Sequence, residues 1–215
     1  GVKGKVYTYS VTDYAESVIN AASGVYSDKA VNAVKTMLNY GAAAQQYFGY
    51  NTDNPANSIM TDDDKNMDMV GFNTYTGKLV NADSVSGISY YGSSLVLESD
   101  TILRNYFELS DGHNIDNYTF YVKDKDGTKN TIVPQKADAS LYYIDISNVK
   151  AYELADNVNI YVQKNGDSED KIMMLEYGAY VYARYVDKYL DNTALKNLMT
   201  AMYHYCNAAI EYVYE

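Results

Sequence analysis

The chain has 215 residues but no tryptophan, one cysteine, two prolines (Pro55 and Pro134) and only two arginines (Arg104 and Arg184) among its 17 basic residues. Each shortage excludes something. Cys206 has no partner for an intrachain disulfide, which leans toward a reducing interior or toward a secreted protein of an anaerobe that does without disulfides. A formal charge of −11 repels phosphate backbones and provides no basic stripe, so nucleic acid is excluded as a partner. The same charge opposes an anionic membrane. No run of roughly 18 apolar residues is present to span one, so no membrane insertion is expected. No basic-then-apolar leader with a cleavage site is visible, so any secretion signal is expected to lie upstream or to have been removed. Neutral ligands, cations and basic proteins remain as partners.

What the chain has in quantity is tyrosine, 26 residues of it, within a sequence that is 47% hydrophobic and so able to build a core. Richness in Asn, Asp, Ser, Tyr and Gly reads as an extracellular module of one large domain or two small ones. GVKGKVYTYS (1–10) has the pattern of a β-strand. Ser10 then caps a helix, with Asp13 in the capping-box position and Tyr14, Ala15, Val18, Ile19 and Ala22 at helical spacing. Gly24 breaks that helix, Ser27 caps again, and a longer helix over 28–50 completes a hairpin. NTDNPANS is turn chemistry, and TDDDKNMD (61–68) supplies a short helix capped by Thr61, with its aspartates favoured in the first turn.

From 87 to 162 the period changes to two: GISYYG, SLVLES, TILRNYFEL, NYTFYVKD, NTIVP, SLYYIDIS and NVNIYVQ read as seven short strands of a β-sandwich. KDKDGTKN is a hairpin turn between two of them. KIMMLEYGAYVYARYVDKYL and NTALKNLMTAMYHYCNAAIEYV then read as a second helical hairpin, with Asp191 or Asn192 as the second cap. The expected fold is mixed α+β: an Ig-like β-sandwich flanked by two helical hairpins that pack as a cluster. The expected divisions are 1–60 (strand and hairpin), 61–84 (connection), 85–168 (sandwich) and 169–215 (second hairpin).

The chain also repeats itself. A shift of 165 residues sets YGAAAQQYF (40–48) on YCNAAIEYV (205–213), pairing Tyr40 with Tyr205, Ala43 with Ala208, Ala44 with Ala209 and Tyr47 with Tyr212. Asn32 and Met37 meet Asn197 and Met202. One residue's adjustment sets KVYTYSVTDYA on KIMMLEYGAYV, pairing Tyr14 with Tyr180. The unit strand–helix–helix therefore occurs twice, with a sandwich between, a statement about architecture, and Tyr40, Tyr47, Tyr205 and Tyr212 are expected to pack.

YSVTDYAESVINAAS, LNYGAAAQQYFGYNTDNPANS and VSGISYYGSSLVLESDTILRNYFEL together resemble a repeated sandwich-plus-helices module of gut Firmicutes cell-surface proteins, including starch-adherence proteins of the ruminococcal amylosome. The resemblance covers 7–109 strongly and 110–215 more loosely. It implies a secreted or cell-surface, non-catalytic module of a larger protein, joined to other domains. It also implies a polysaccharide or maltooligosaccharide ligand, a starch-type α-1,4-glucan, held in a groove between sandwich and helices. Two departures stand out: Asn105 occupies a position in LRNYF where the family pattern has an aromatic, and YGAYVYARY is unusually rich in tyrosine.

Sugar binding needs a flat ring against the C–H face of a pyranose, with amides or carboxylates nearby for the hydroxyls. Tyrosines off the repeated stripe and near loops or helix ends are therefore the candidates: Tyr50, Tyr75, Tyr90, Tyr91, Tyr177 and Tyr203. Adjacent strand residues face opposite ways, so at most one of Tyr90 and Tyr91 is expected to face a given groove. A structural or adhesion spacer with no glycan ligand is the alternative. A glycoside hydrolase needs only two suitably spaced carboxylates, yet nothing marks a pair among the 28 acidic residues. His113 and His204 lie in no nucleophile motif, and Cys206 falls on a helical core stripe as a small hydrophobe. The acidic run 61–68 does not match a calcium loop. No catalysis, metal or cofactor is expected.

Overall fold

The computed structural model describes residues 10–81, 84–97, 100–124, 126–168 and 171–214. The strand expected over 1–9 lies outside these residues. The chain divides into two units, a helical body (Gly1–Val70 with Asn192–Glu215) and a sandwich body (Gly71–Asp191).

In the helical body, α1 (Val11–Ile19) starts in the expected capping box. Ser10 Oγ accepts the Asp13 N–H at 2.9 Å, and the Asp13 carboxylate takes the Ser10 N–H. Ser27 caps α2 (Asp28–Phe48), which ends where Gly49 turns left-handed at φ +66°. α3 (Asp62–Lys65) is the short acidic helix, and its cap Thr61 accepts the Asp64 N–H at 3.2 Å. Asn192 caps α5 (Thr193–Val213), accepting the Leu195 N–H at 2.9 Å. α2 and α5 each have 21 residues and start and stop 165 positions apart, so the sequence repeat coincides with whole helices.

α1 packs on α2, and α2 packs on α5. Ala15, Leu38 and Met60 form one buried cluster, with Ile19, Val34, Met37, Ala56 and Ile59 against it. α5 buries Leu198, Met199, Met202 and Cys206, as its apolar stripe requires.

The sandwich body contains two antiparallel sheets. β2 (Ile88–Leu97), β3 (Thr101–Leu109), β7 (Leu141–Ile146) and β6 (Gln135–Lys136) form one, in the order β2-β3-β7-β6. The second comprises β1 (Lys78–Val80), β9 (Ile172–Tyr177), β8 (Val158–Lys164), β4 (Tyr118–Lys123) and β5 (Lys129–Ile132), in the order β1-β9-β8-β4-β5. Phe107 from one sheet meets Phe120 from the other edge to face at 5.1 Å, among Leu103, Ile144, Ile160 and Met173. The expected turn joins β4 to β5.

Three expectations change. GISYYG and SLVLES are one continuous strand, β2, interrupted only by a bulge at Tyr91. IMMLEY is a strand, not the start of a helix: β9 pairs with both β8 and β1, and this ladder outweighs the helical preference of Met, Leu and Glu. Finally, α4 (Ala179–Tyr189) belongs to the sandwich body, whereas α5 belongs to the helical body.

No helix among the described residues is long and apolar enough to cross a membrane.

Candidate functional site: a tyrosine cleft in the sandwich body

β1 and β2 are edge strands of their respective sheets. β9 runs beside β1 to Tyr177, and the chain turns at Gly178 directly into α4. Only glycine fits that corner, because a Cβ there would lie 2.5 Å from the Asp156 carbonyl oxygen. α4 turns Ala179, Tyr180, Ala183 and Val186 inward, an i, i+1, i+4, i+7 stripe. Tyr182, Tyr185 and Tyr189 fall off that stripe and line a cleft of about 530 Å³.

The other walls come from the strands. β2 gives Tyr90, Tyr91 and Ser93, and β9 gives Glu176 and Tyr177. Tyr90 and Tyr91 both line the cleft, contrary to the alternation rule. The bulge explains it: Tyr90 pairs with Phe107 and Gly92 with Tyr106, so Tyr91 is the extra residue and its side chain is re-aimed.

Tyr90 is held by a short polar chain. Ser93 Oγ donates to Asn105 Oδ1, which commits its only proton, so the Tyr90 hydroxyl is the donor to Ser93 Oγ at 2.7 Å. Asn105 is fully buried, and its amide nitrogen donates to the Leu103 carbonyl. The asparagine standing where an aromatic was expected thus orients a cleft tyrosine. Burial raises the Tyr90 hydroxyl pKa, partly offset by the bond to Ser93.

Tyr177 is 5% exposed, and its hydroxyl has no hydrogen-bond partner among the described residues. Burial, with Tyr90 and Tyr182 close by, pushes its pKa well above the ordinary tyrosine value. Arg184 Nε is buried and likewise without a partner. At the outer end Tyr185 and Tyr189 lie with ring centroids 5.4 Å apart, half or more exposed, and Tyr91 is exposed as well. A hydrogen bond from Lys188 lowers the Tyr189 pKa, helped by its charge and by Arg184. The cleft therefore has an outer wall of exposed rings, while the Tyr177 hydroxyl and Arg184 Nε are closed to solvent.

Of the six tyrosines singled out from sequence, Tyr90, Tyr91 and Tyr177 meet here. The others lie elsewhere. Tyr75 is half-buried in an aromatic cluster with Phe72 and Tyr180, at 6.0 and 4.9 Å. Tyr50, in the helical body, stands just past the end of α2 at 72% exposure. Tyr203, in the same body, sets its ring edge-on to His204. Tyr182, Arg184, Tyr185 and Tyr189 were not singled out, although YGAYVYARY carried the signal for the first three: all four residues fall off the alanine-rich inward stripe.

His113 Nδ1 meets the Tyr118 hydroxyl at 3.0 Å, and His204 Nε2 donates to the Asp68 carbonyl at 2.9 Å. Cys206 is fully buried. Among the described residues no group of three or more His, Cys, Asp or Glu side chains could hold a metal ion. No protein-family model matches this chain, and neither a curated protein nor a solved structure matches it.

Proposed function

We propose that the chain is a non-catalytic carbohydrate-binding module that holds a starch-type α-1,4-glucan in the tyrosine cleft. One observation carries this reading: six tyrosines line a single concave surface together with Glu176, Arg184 and Ser93. Exposed rings on Tyr91, Tyr185 and Tyr189 can cover the apolar face of a pyranose, while the carboxylate and guanidinium serve its hydroxyls. The volume falls within the roughly 300–1,000 Å³ range of small-molecule sites. A neutral ligand also fits a chain of charge −11, which repels anions.

We read the sandwich as Ig-like. With β2, β3, β7 and β6 taken as strands A, B, E and D, and β9, β8, β4 and β5 as G, F, C and C′, both sheets follow the immunoglobulin order. On this reading the module is part of a larger secreted bacterial surface protein, where weak single contacts gain strength by avidity along a polymer.

The test is native electrophoresis through gels cast with amylopectin, dextran or β-glucan. Retardation by amylopectin alone, lost in Tyr185→Ala, is the expected result. Equal mobility in every gel would overturn the reading in favour of a structural or adhesion spacer.

A further inference from the structure

The helical body has a cavity of its own, of about 660 Å³. The C-terminal half of α2 forms one wall with Ala42, Ala43 and Gln46, and the first turns of α5 form another with Thr193, Ala194 and Asn197. The connecting segment closes it with Pro55, Met67 and Met69. These walls are held in place by the chain itself. Gln45 Oε1 accepts the Ala56 N–H at 2.6 Å, the Asn57 amide donates to Asn39 Oδ1 at 2.8 Å, and the Thr200 hydroxyl donates weakly to Met69 Sδ at 3.8 Å.

The repeat provides an internal control for this surface. None of the eight helix positions that line the cavity is charged, yet four of their counterparts 165 residues away are: Asp28, Lys29, Lys35 and Glu211. The cavity has Thr193, Ala194, Thr200 and Gln46 in their places. Asp28, Lys29 and Glu211 are exposed to water, where a charge costs nothing. A face covered by an uncharged ligand has to shed such charges, because a charge stripped of water without a partner is costly.

The lining also defines the chemistry of that ligand. Among the described residues it contains no aromatic ring and no carboxylate, in a chain with 26 tyrosines and a charge of −11. A sugar would find no ring to stack on. Lys65 is the one charged lining group among these residues, with Asp62 3.6 Å away to balance it. What the lining offers instead is two exposed side-chain amides, Gln46 from α2 and Asn197 from α5, which make no hydrogen bond among the described residues. Each has one carbonyl acceptor and N–H donors, the pairing that a peptide bond presents. The alanines leave room for an apolar side chain, and the thioethers of half-buried Met67 and exposed Met69 adapt to its shape.

We propose that this cavity docks an uncharged, apolar stretch of a partner polypeptide. One apolar side chain of the partner sits against the alanines, Met67 and Met69, while Gln46 and Asn197 bond its backbone amides. The site is independent of the carbohydrate reading, which concerns the sandwich body.

The experiment isotope-labels the methionine methyl groups of the intact chain and follows Met67 and Met69 by NMR. The probes are N-acetyl-leucine N-methylamide, hexanol and maltotriose. Expected is a saturable shift of both signals with the leucine amide, bound about tenfold more tightly than hexanol. Gln46→Ala and Asn197→Ala should each weaken it about fivefold, one net hydrogen bond, and Ala194→Leu, which fills the space, should abolish it. All three variants should keep amylopectin retardation. Hexanol binding as tightly as the leucine amide, or a leucine amide indifferent to Gln46→Ala and Asn197→Ala, overturns the proposal and leaves a merely apolar hole. Silence of both signals with every probe overturns it too. A shift with maltotriose that Ala194→Leu removes together with amylopectin retardation would move the glucan here, and overturn both this proposal and the cleft assignment.

Discussion

The helical body and the sandwich body are both rich in tyrosine, but they use their polar groups differently. In the helical body those groups turn inward. Asn39 is buried between the Asp64 carbonyl and Asn57, at 2.8 Å from each. Lys35 pairs with Asp64 at 2.7 Å, and His204 holds the Asp68 carbonyl. Asn39 and His204 stand 165 positions apart, so the two copies of the repeated helix strap the same connecting segment. Tyr40 and Tyr205, the next pair along, stack on each other at 5.8 Å. In the sandwich body, by contrast, the Tyr177 hydroxyl and Arg184 Nε are stranded at one edge. A tyrosine's role is therefore decided by what surrounds its hydroxyl and its ring face, and not by its type.

The largest test of that contrast lies away from the cleft. At Gly87 (φ +87°) an added Cβ would collide with the His113 ring and the Tyr118 hydroxyl. That hydroxyl is already committed to the Ser86 carbonyl at 2.7 Å. Gly87→Ala should cost about 4 kcal/mol in urea denaturation, from backbone strain plus overpacking. A cost near zero would mean that this corner is loose.

Next comes one residue type in two settings. Tyr40→Ala should lose about 2–3 kcal/mol of stability and keep amylopectin retardation. Tyr185→Ala should change stability by no more than about 0.5 kcal/mol and abolish retardation. Exchanged outcomes would break the comparison. Asn39→Ala should cost about 2 kcal/mol, because it leaves the Asp64 carbonyl and the Asn57 amide unpaired.

The smallest effects are in pH. The bond from Lys35, then that from Thr61, holds the Asp64 carboxyl below its usual 3.8. Its contribution is whole above that value and is lost as pH falls through the lowered one, by about 1 kcal/mol or less. Asp64→Asn should flatten that part of the acid limb in denaturation curves taken at successive pH values. Tyr177 runs the other way. Its pKa is raised above 10, so its contribution is complete below pH 10 and is lost as pH climbs toward the folded value. Tyr177→Phe should soften the alkaline fall in the same curves.

Legibility in the sequence followed the range of the forces involved. Ser10, Ser27, Thr61 and Asn192 cap helices as read, because a cap is settled within three residues. The repeat placed Tyr40 on Tyr205, and they do stack, whereas Tyr212 of the same stripe is half exposed near the end of α5. IMMLEY drew two readings, helix from local composition and strand from the repeat, and pairing with β8 and β1 decides for the strand. The repeat carried the strand because it sets KIMMLE against KVYTYS, whereas the helical reading rested on the preferences of Met, Leu and Glu alone.

By itself, then, the sequence determined the α+β class, the helix caps, the alternation of most strands and the acidic, tyrosine-rich surface, since each is written in neighbouring residues or in net charge. Only the tertiary structure decided which tyrosines meet. The bulge that turns Tyr91, the ladder that makes β9 a strand and the glycine corner that returns α4 beside it depend on partners in other elements. The stranding of Tyr177 and Arg184 has the same origin, because burial is a property of the assembled edge and not of any segment within it.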